Sequence, residues 1–185
     1  MLNPGEPWAE RVIADLTGAE PAWHALAAHA LTATGSRPAG KWQRLGRALL
    51  ANVGPDRARE AMTSWLAPAA EPHTTPVNSH FHTGTAELEL GPFNTCALQG
   101  LAALLALTPA HPQSAAALGE LMEAALLPFP GIGWRSPKTA SAAVHAMTQL
   151  GDEDAYAELS RLAGTVKYRP TLRAITAALA RRNSP

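Results

Sequence analysis

The chain has 185 residues and a formal net charge of zero, and 46% of its residues are hydrophobic, many of them alanine. A neutral chain has no overall field that would draw it to nucleic acid or to an anionic membrane surface. One cysteine, Cys96, excludes an internal disulfide, and no stretch is apolar enough for a membrane-spanning helix or a secretory leader. We therefore expect a soluble cytoplasmic protein without a membrane partner.

Composition and periodicity predict an all-α protein. Alanine fits helix–helix interfaces and disfavours strands, and aromatic residues make up only 5% of the chain. Prolines stand where helices begin, the position at which the missing N–H costs least, and glycines follow where they end. In chain order these signals predict helices at about 7–16, 21–34, 38–53, 55–66, 94–107, 112–127, 137–150, 152–164 and 170–181.

The helical pattern is interrupted at about 68–92. This stretch is rich in proline, glycine, serine and threonine, and it predicts a long irregular loop within a single domain that spans 1–185. A loop of this length in a compact domain usually has a function or is mobile.

The spacing of the predicted helices favours a repeat array. About nine helices pair into hairpins of roughly 30–40 residues, the unit length of HEAT and armadillo α-solenoids. The alternative is a globular helical bundle, because the repetition of residues between hairpins is weak.

A glycine turn at 130–133, followed by Lys138, Thr139 and Ala140, is similar to the helix-hairpin-helix motif that grips DNA phosphates. Three additional residues separate the second glycine from the lysine and give the following helix a Ser-Pro start. We therefore expect a structural turn between two helices, with Arg135 and Lys138 placed near a helix N-terminus. A DNA-phosphate contact stays open as an alternative.

Three histidines, His73, His80 and His82, lie in the predicted loop, and a His-x-His pair can place two ligands on one side of an extended segment. Zinc needs three or four rigidly held ligands, and no further ligand is evident. We expect no metal site, and these three residues are the candidates if one exists. Three histidines in predicted helices are read as partly buried or surface residues: His24, His29 and His145.

Nothing in the sequence points to catalysis. Cys96 lies in an apolar run without a neighbouring base, and nucleophile elbows, phosphate loops and dinucleotide fingerprints are absent. We expect no catalytic residue and no cofactor, which favours a non-enzyme, and catalysis by acids and bases that converge from separate helices stays open. The alternative is a small enzyme or cofactor-binding protein with the 68–92 loop as its lid.

Two basic zones of the chain, 36–60 and 131–185, flank an acidic middle. Residues 131–185 carry eight bases and four acids, whereas 71–130 carry five acids and neither lysine nor arginine. Aligned bases interleaved with aromatic rings suit an acidic protein surface or a nucleic-acid backbone. The predicted contact residues are Lys41, Trp42, Trp134, Arg135, Lys138, Lys167, Tyr168, Arg169 and Arg173.

Two blocks of the sequence carry a resemblance to a known family. The first block is 33–42, which begins Ala-Thr-Gly-Ser-Arg-Pro, with the helix that ends at 52–54. The second comprises 129–138, 146–151, 159–162 and 166–175. Together these blocks resemble the helical-repeat segment of large bacterial molybdate-metabolism-regulator-like proteins, which contain a domain of unknown function. The resemblance implies a HEAT-like array that is typically one part of a longer protein, and it supplies no catalytic residues.

These observations favour a protein-interaction or scaffold module that binds an acidic partner through a basic, aromatic face of a helical-repeat array. The alternative from a different class is a nucleic-acid-binding HEAT-like protein, similar to DNA glycosylases built on such arrays.

Overall fold

The computed structural model describes residues 2–74, 92–129 and 133–182. Within these ranges the protein is all-helical apart from one short hairpin, in which β1 (Pro128–Phe129) pairs antiparallel with β2 (Gly133–Trp134). The α-helices are α1 (Pro7–Leu16), α2 (Pro21–Ala30), α3 (Gly40–Val53), α4 (Pro55–Leu66), α5 (Pro92–Leu105), α6 (Pro112–Ala125), α7 (Pro137–Leu150), α8 (Glu153–Ala163) and α9 (Arg169–Arg182). The predicted all-α class and the nine helices are confirmed over the described residues.

Proline and glycine set most helix boundaries, as the sequence predicts. Six of the described helices, α1, α2, α4, α5, α6 and α7, begin on a proline. Gly151 ends α7 in the left-handed conformation, at φ 66°, and the Asp152 side chain then accepts a hydrogen bond from the Ala155 N–H at 2.8 Å to begin α8. One turn therefore reverses the chain between two helices.

Several predicted boundaries differ from the structure. Helix α2 ends at Ala30 rather than at residue 34, because the Ala33 N–H donates to the carbonyl oxygen only three residues back, at Ala30. Helix α6 ends at Ala125 rather than Leu127, because the carbonyl oxygens of Ala125 and Leu127 accept hydrogen bonds from the N–H groups of Ser136 and Arg135 across the β-hairpin. The predicted irregular loop begins later than residue 68, since a 3₁₀ helix occupies Ala67–Ala70. Residues 75–91 of the predicted loop lie outside the described residues.

The helices pack in two rows. In one row α6 packs between α4 and α8. In the other row the helices follow the order α2, α5, α7 and α9, and each packs against the next. Helices α6 and α8 run in the same direction, since Glu123 and Arg161 pair near their C-terminal ends at 2.9 Å. The contacts α4–α5, α6–α7 and α8–α9 join the rows.

Helices α7 and α9 also run in the same direction. Trp134 and Tyr168, which directly precede them, are in ring contact, and Thr148 and Arg181 near their C-terminal ends line one cavity. Both ends of α9 therefore lie beside the corresponding ends of α7.

Small residues allow neighbouring helices within each row to approach closely. A Cβ atom on Gly100 of α5 would overlap the backbone of Ala30 in α2, and one on Gly119 of α6 would overlap the Glu158 side chain of α8. Between the rows, a continuous core of alanine and leucine extends from Trp8 to Ala178. This explains the alanine-rich composition, because close-packed helices leave room only for small side chains at their contacts.

No helix in the described part of the chain is long and apolar enough to cross a membrane.

Candidate functional site

The site is built around an aromatic pair at the starts of α7 and α9. The ring centroids of Trp134 and Tyr168 lie 5.8 Å apart, with the ring planes tilted by 51°. Both side chains are partly exposed. Strand β2, between α6 and α7, positions the first ring, and the α8–α9 connection positions the second. The pair therefore joins two consecutive helical hairpins, α6–α7 and α8–α9.

A groove of about 390 Å³ lies beside this pair. Its walls are mainly apolar, and its acidic residue, Glu123, is already paired with Arg161 at 2.9 Å. The raised pKa of Arg161, caused first by its hydrogen bonds to Glu158 and then to Glu123, agrees with this pairing. The groove is lined by Glu123, Leu126, Pro128, Trp134, Thr165, Val166 and Lys167.

Exposed bases continue from the groove along α9. Arg169 and Arg173 are one helical turn apart and therefore project from the same face of the helix. Lys167, Arg169 and Arg173 are exposed, and none forms an ion pair with a carboxylate of the described residues. We call Trp134, Lys167, Tyr168, Arg169 and Arg173 the aromatic–basic edge.

Lys138 is also exposed and without an ion pair among the described residues, in the first turn of α7. Since α7 and α9 run in the same direction, Lys138 lies at the same end of the helix row as Tyr168.

Arg135 is not a surface contact residue, and this corrects the sequence-based prediction. Its side chain is 1% exposed, its Nη1 donates to the Ala69 carbonyl oxygen at 2.7 Å, and its Nη2 lies 4.0 Å from Glu6 Oε1. Burial lowers the pKa of Arg135, and the Glu6 carboxylate partly opposes that effect. A guanidinium held in this way stabilises the fold and is not accessible to a partner.

The structure separates Lys41 and Trp42 from the other predicted contact residues. Both lie at the start of α3, which packs on α2, α4 and α5, whereas α9 packs on α7 and α8. The Trp42 ring stacks on His29 at 4.2 Å, and its Nε1 donates to the Thr32 Oγ1 at 2.9 Å. Trp42 therefore anchors the start of α3, while Lys41 is exposed.

The histidines do not form a metal site within the described residues. His73 is buried, with its Nε2 3.7 Å from Glu6 Oε1, and His80 and His82 lie outside the described residues. No group of three or more potential ligands (His, Cys, Asp or Glu) is placed to hold a metal ion in the ranges that the structure describes.

Sequence reasoning missed a second feature, a cavity between α7 and α9 that is lined by Arg37, His145 and Arg181. The helical spacing of Ser141, His145 and Thr148 indicates one face of α7. Nothing in the sequence, however, indicates that Arg37, more than one hundred positions earlier, reaches this face.

Comparisons with protein-family models, with curated proteins and with solved structures find no match for this chain. The resemblance to molybdate-metabolism-regulator-like proteins stays a prediction.

Proposed function

We propose that the protein is an interaction module whose aromatic–basic edge binds an acidic segment of a partner protein. The observation that carries the proposal is the Trp134–Tyr168 ring contact. It places a partly exposed aromatic surface directly beside three bases that have no carboxylate partner among the described residues. Aromatic and arginine side chains are the residues that most often dominate binding energy at protein interfaces.

Two chemical features define the segment that fits. The apolar groove beside Trp134 takes one hydrophobic side chain, and the exposed Lys167, Arg169 and Arg173 attract carboxylates that follow it. Charge complementarity of this kind raises the association rate and excludes basic competitors. An acidic segment with a single hydrophobic anchor satisfies both.

The helix arrangement supports a HEAT-like scaffold beneath this edge. Parallel α6 and α8 in one row and parallel α7 and α9 in the other correspond to stacked helical hairpins. In such an array the turns of successive hairpins form a rigid edge, so binding orders few additional residues. A globular bundle would present the same edge, and the proposal does not depend on the distinction.

The test uses a defined probe. Random peptides are selected on the immobilised protein, and the Kd of an enriched peptide is measured by fluorescence anisotropy. We expect enriched peptides to contain Asp or Glu beside one large apolar residue. The double substitution Arg169→Glu/Arg173→Glu should weaken binding by about tenfold or more.

The matched control is Arg44→Glu/Arg47→Glu, which makes the same charge change at exposed positions on α3. It should leave the Kd of the peptide within about twofold, because surface charges beyond a Debye length, about 8 Å, are largely screened. Equal losses in both double variants would contradict a specific edge and leave only an effect of net charge.

In a second experiment, binding of the protein to duplex DNA is measured at two salt concentrations. Binding to DNA that falls steeply with salt, and that requires Arg169 and Arg173, would overturn the protein-partner proposal in favour of the nucleic-acid alternative. Charge reversal at Arg135 is not a useful variant here, since it would place a second carboxylate beside buried Glu6. A loss of binding in that variant would reflect a loss of folding.

A further inference from the structure

A second cavity, of about 670 Å³, lies between α7 and α9 and is closed on one side by the α2–α3 connection. This volume is within the range of small-molecule sites. Its walls include three hydroxyl-bearing side chains and several small apolar ones. The lining residues are Ser36, Arg37, Ser141, Val144, His145, Thr148, Ala174, Ala177, Ala180 and Arg181.

Among the described residues, the charged lining of this cavity is cationic. Arg37 and Arg181 face it, and none of the described lining residues is acidic. Neither arginine forms an ion pair with a carboxylate of the described residues. The Nε of Arg181 donates to the Ala177 carbonyl oxygen of its own helix at 3.1 Å, which leaves the terminal nitrogens of the guanidinium for another acceptor.

His145 connects the two arginines electrostatically. Burial, then the charge of Arg37 and then that of Arg181 lower the pKa of His145. Both guanidinium groups are thus close enough to the imidazole to repel its proton. An anion that binds between the two guanidinium groups offsets their mutual repulsion and the repulsion that they exert on a proton at His145.

The hydroxyl groups suit the same ligand. Ser141 donates to the Pro137 carbonyl oxygen at 3.0 Å and Thr148 to that of Val144 at 2.8 Å, within the same helix. Hydroxyl hydrogens rotate, so these groups can donate instead to an anion in the cavity.

We propose that this cavity binds a small organic dianion of the phosphate-ester class. Arg37 and Arg181 bind the dianionic head, His145 and the hydroxyl groups complete its hydrogen bonds, and Val144, Ala174 and Ala177 contact the organic part. Guanidinium groups match the geometry of phosphate and sulfate oxygens with paired N–H donors. The apolar walls distinguish this site from a purely electrostatic surface that binds nucleic acid.

Sulfate is the first probe, because its charge does not change near neutral pH. Binding is followed by the chemical shifts of backbone amides of α7 and α9 during titration. We expect saturable binding to the wild-type protein and at least about tenfold weaker binding for Arg37→Gln and for Arg181→Gln. Both side chains are exposed enough for substitution without loss of folding, which circular dichroism verifies.

The matched control is Arg47→Gln, an exposed arginine on α3 that belongs neither to the cavity lining nor to the aromatic–basic edge. It should bind sulfate as the wild-type protein does. Absence of saturable binding, or equal weakening in all three variants, would overturn the proposal.

The organic part is tested by comparing phenyl phosphate with inorganic phosphate. We expect tighter binding of the ester, because its ring contacts the alanine wall. Equal Kd values for the two would contradict the ester class and leave an inorganic-anion site.

A pH series gives an independent readout. Since the anion offsets the repulsion from Arg37 and Arg181, it raises the pKa of His145, and sulfate should bind more tightly as the pH falls from about 7.5 to 5.5. The variant His145→Gln should lose most of this pH dependence. A wild-type affinity that is independent of pH would exclude His145 from the site.

The cavity and the aromatic–basic edge are tested separately. Arg169→Glu/Arg173→Glu should retain sulfate binding, and Arg37→Gln should retain peptide binding.

Discussion

Glu6 and Arg135, far apart in the chain, form a buried pair in which Glu6 Oε1 lies 4.0 Å from Arg135 Nη2, with side chains 2% and 1% exposed. The carboxylate also receives a hydrogen bond from the Asn94 amide, and His73 lies 3.7 Å from Glu6 Oε1. This polar cluster joins the start of α1 to α5, to the segment after α4 and to the residue that follows β2.

Removing the cation from this cluster should destabilise the protein strongly. Arg135→Met leaves the Glu6 carboxylate buried without its counter-charge, for which we expect a loss of about 3–5 kcal/mol in the free energy of unfolding. Urea denaturation followed by circular dichroism measures this loss. The control Arg169→Met, at an exposed site, should change the value by less than about 0.5 kcal/mol.

A double variant distinguishes the pair from packing alone. Glu6→Gln combined with Arg135→Met removes both charges and should recover part of the loss. The substitution Glu6→Gln is therefore compared in the wild-type protein and in Arg135→Met. If it lowers the free energy of unfolding by the same amount in both, the two side chains do not interact energetically.

The same pair shows where sequence reasoning succeeds and where it fails. Helix boundaries were predictable because proline and glycine act locally, as Pro137 and Gly151 do at the two ends of α7. The sequence predicts that Arg135 contacts a partner, because it lies with Trp134 and Lys138 in a basic, aromatic stretch. Its burial depends on Glu6 and Ala69, which only the tertiary fold brings to it.

In the candidate site, too, local sequence predicts some of the grouping of residues and the tertiary fold decides the rest. Tyr168, Arg169 and Arg173 are consecutive or one helical turn apart, so their grouping was predictable from sequence. Trp134 joins them only because α7 and α9 pack side by side. Lys41 and Trp42 share the composition of that group but begin a helix that packs against α2, α4 and α5.

Gly100 should not tolerate a side chain. A Cβ atom at this position would overlap the Ala30 carbonyl group, which is backbone and cannot rotate away, so α2 and α5 must separate. We expect Gly100→Ala to lower the free energy of unfolding by about 2 kcal/mol or more, despite the better helix propensity of alanine. Gly35→Ala, where no atom lies within 4 Å of the added Cβ, is the control and should be close to neutral.

The contact between Gly119 and Glu158 predicts a milder outcome for the same substitution. The atoms that a Cβ on Gly119 would meet belong to the Glu158 side chain, which can swing away and release Arg161. Arg161 keeps its 2.9 Å pair with Glu123, and a partly exposed ion pair contributes at most about 1 kcal/mol. Alanine adds a comparable gain in helix propensity, so Gly119→Ala should stay within about 1 kcal/mol of wild type in urea denaturation. A loss as large as that of Gly100→Ala would show that α6 and α8 cannot adjust.

Stability should fall as the solution is acidified, because two partly buried histidines resist protonation. Burial lowers the pKa of His29, opposed in part by its hydrogen bond with the Trp42 carbonyl oxygen, and burial together with Arg37 and Arg181 lowers the pKa of His145. Below the unfolded value of about 6.5 the unfolded chain binds more protons than the folded protein, so the free energy of unfolding decreases with falling pH. Urea denaturation at about pH 7.5 and pH 5.5 measures the decrease, and His145→Gln should reduce it. A free energy of unfolding that is constant or higher at the lower pH would contradict the assigned shifts. Saturating sulfate should restore stability at the lower pH in the wild-type protein and not in Arg37→Gln, because a ligand stabilises only the folded state that binds it.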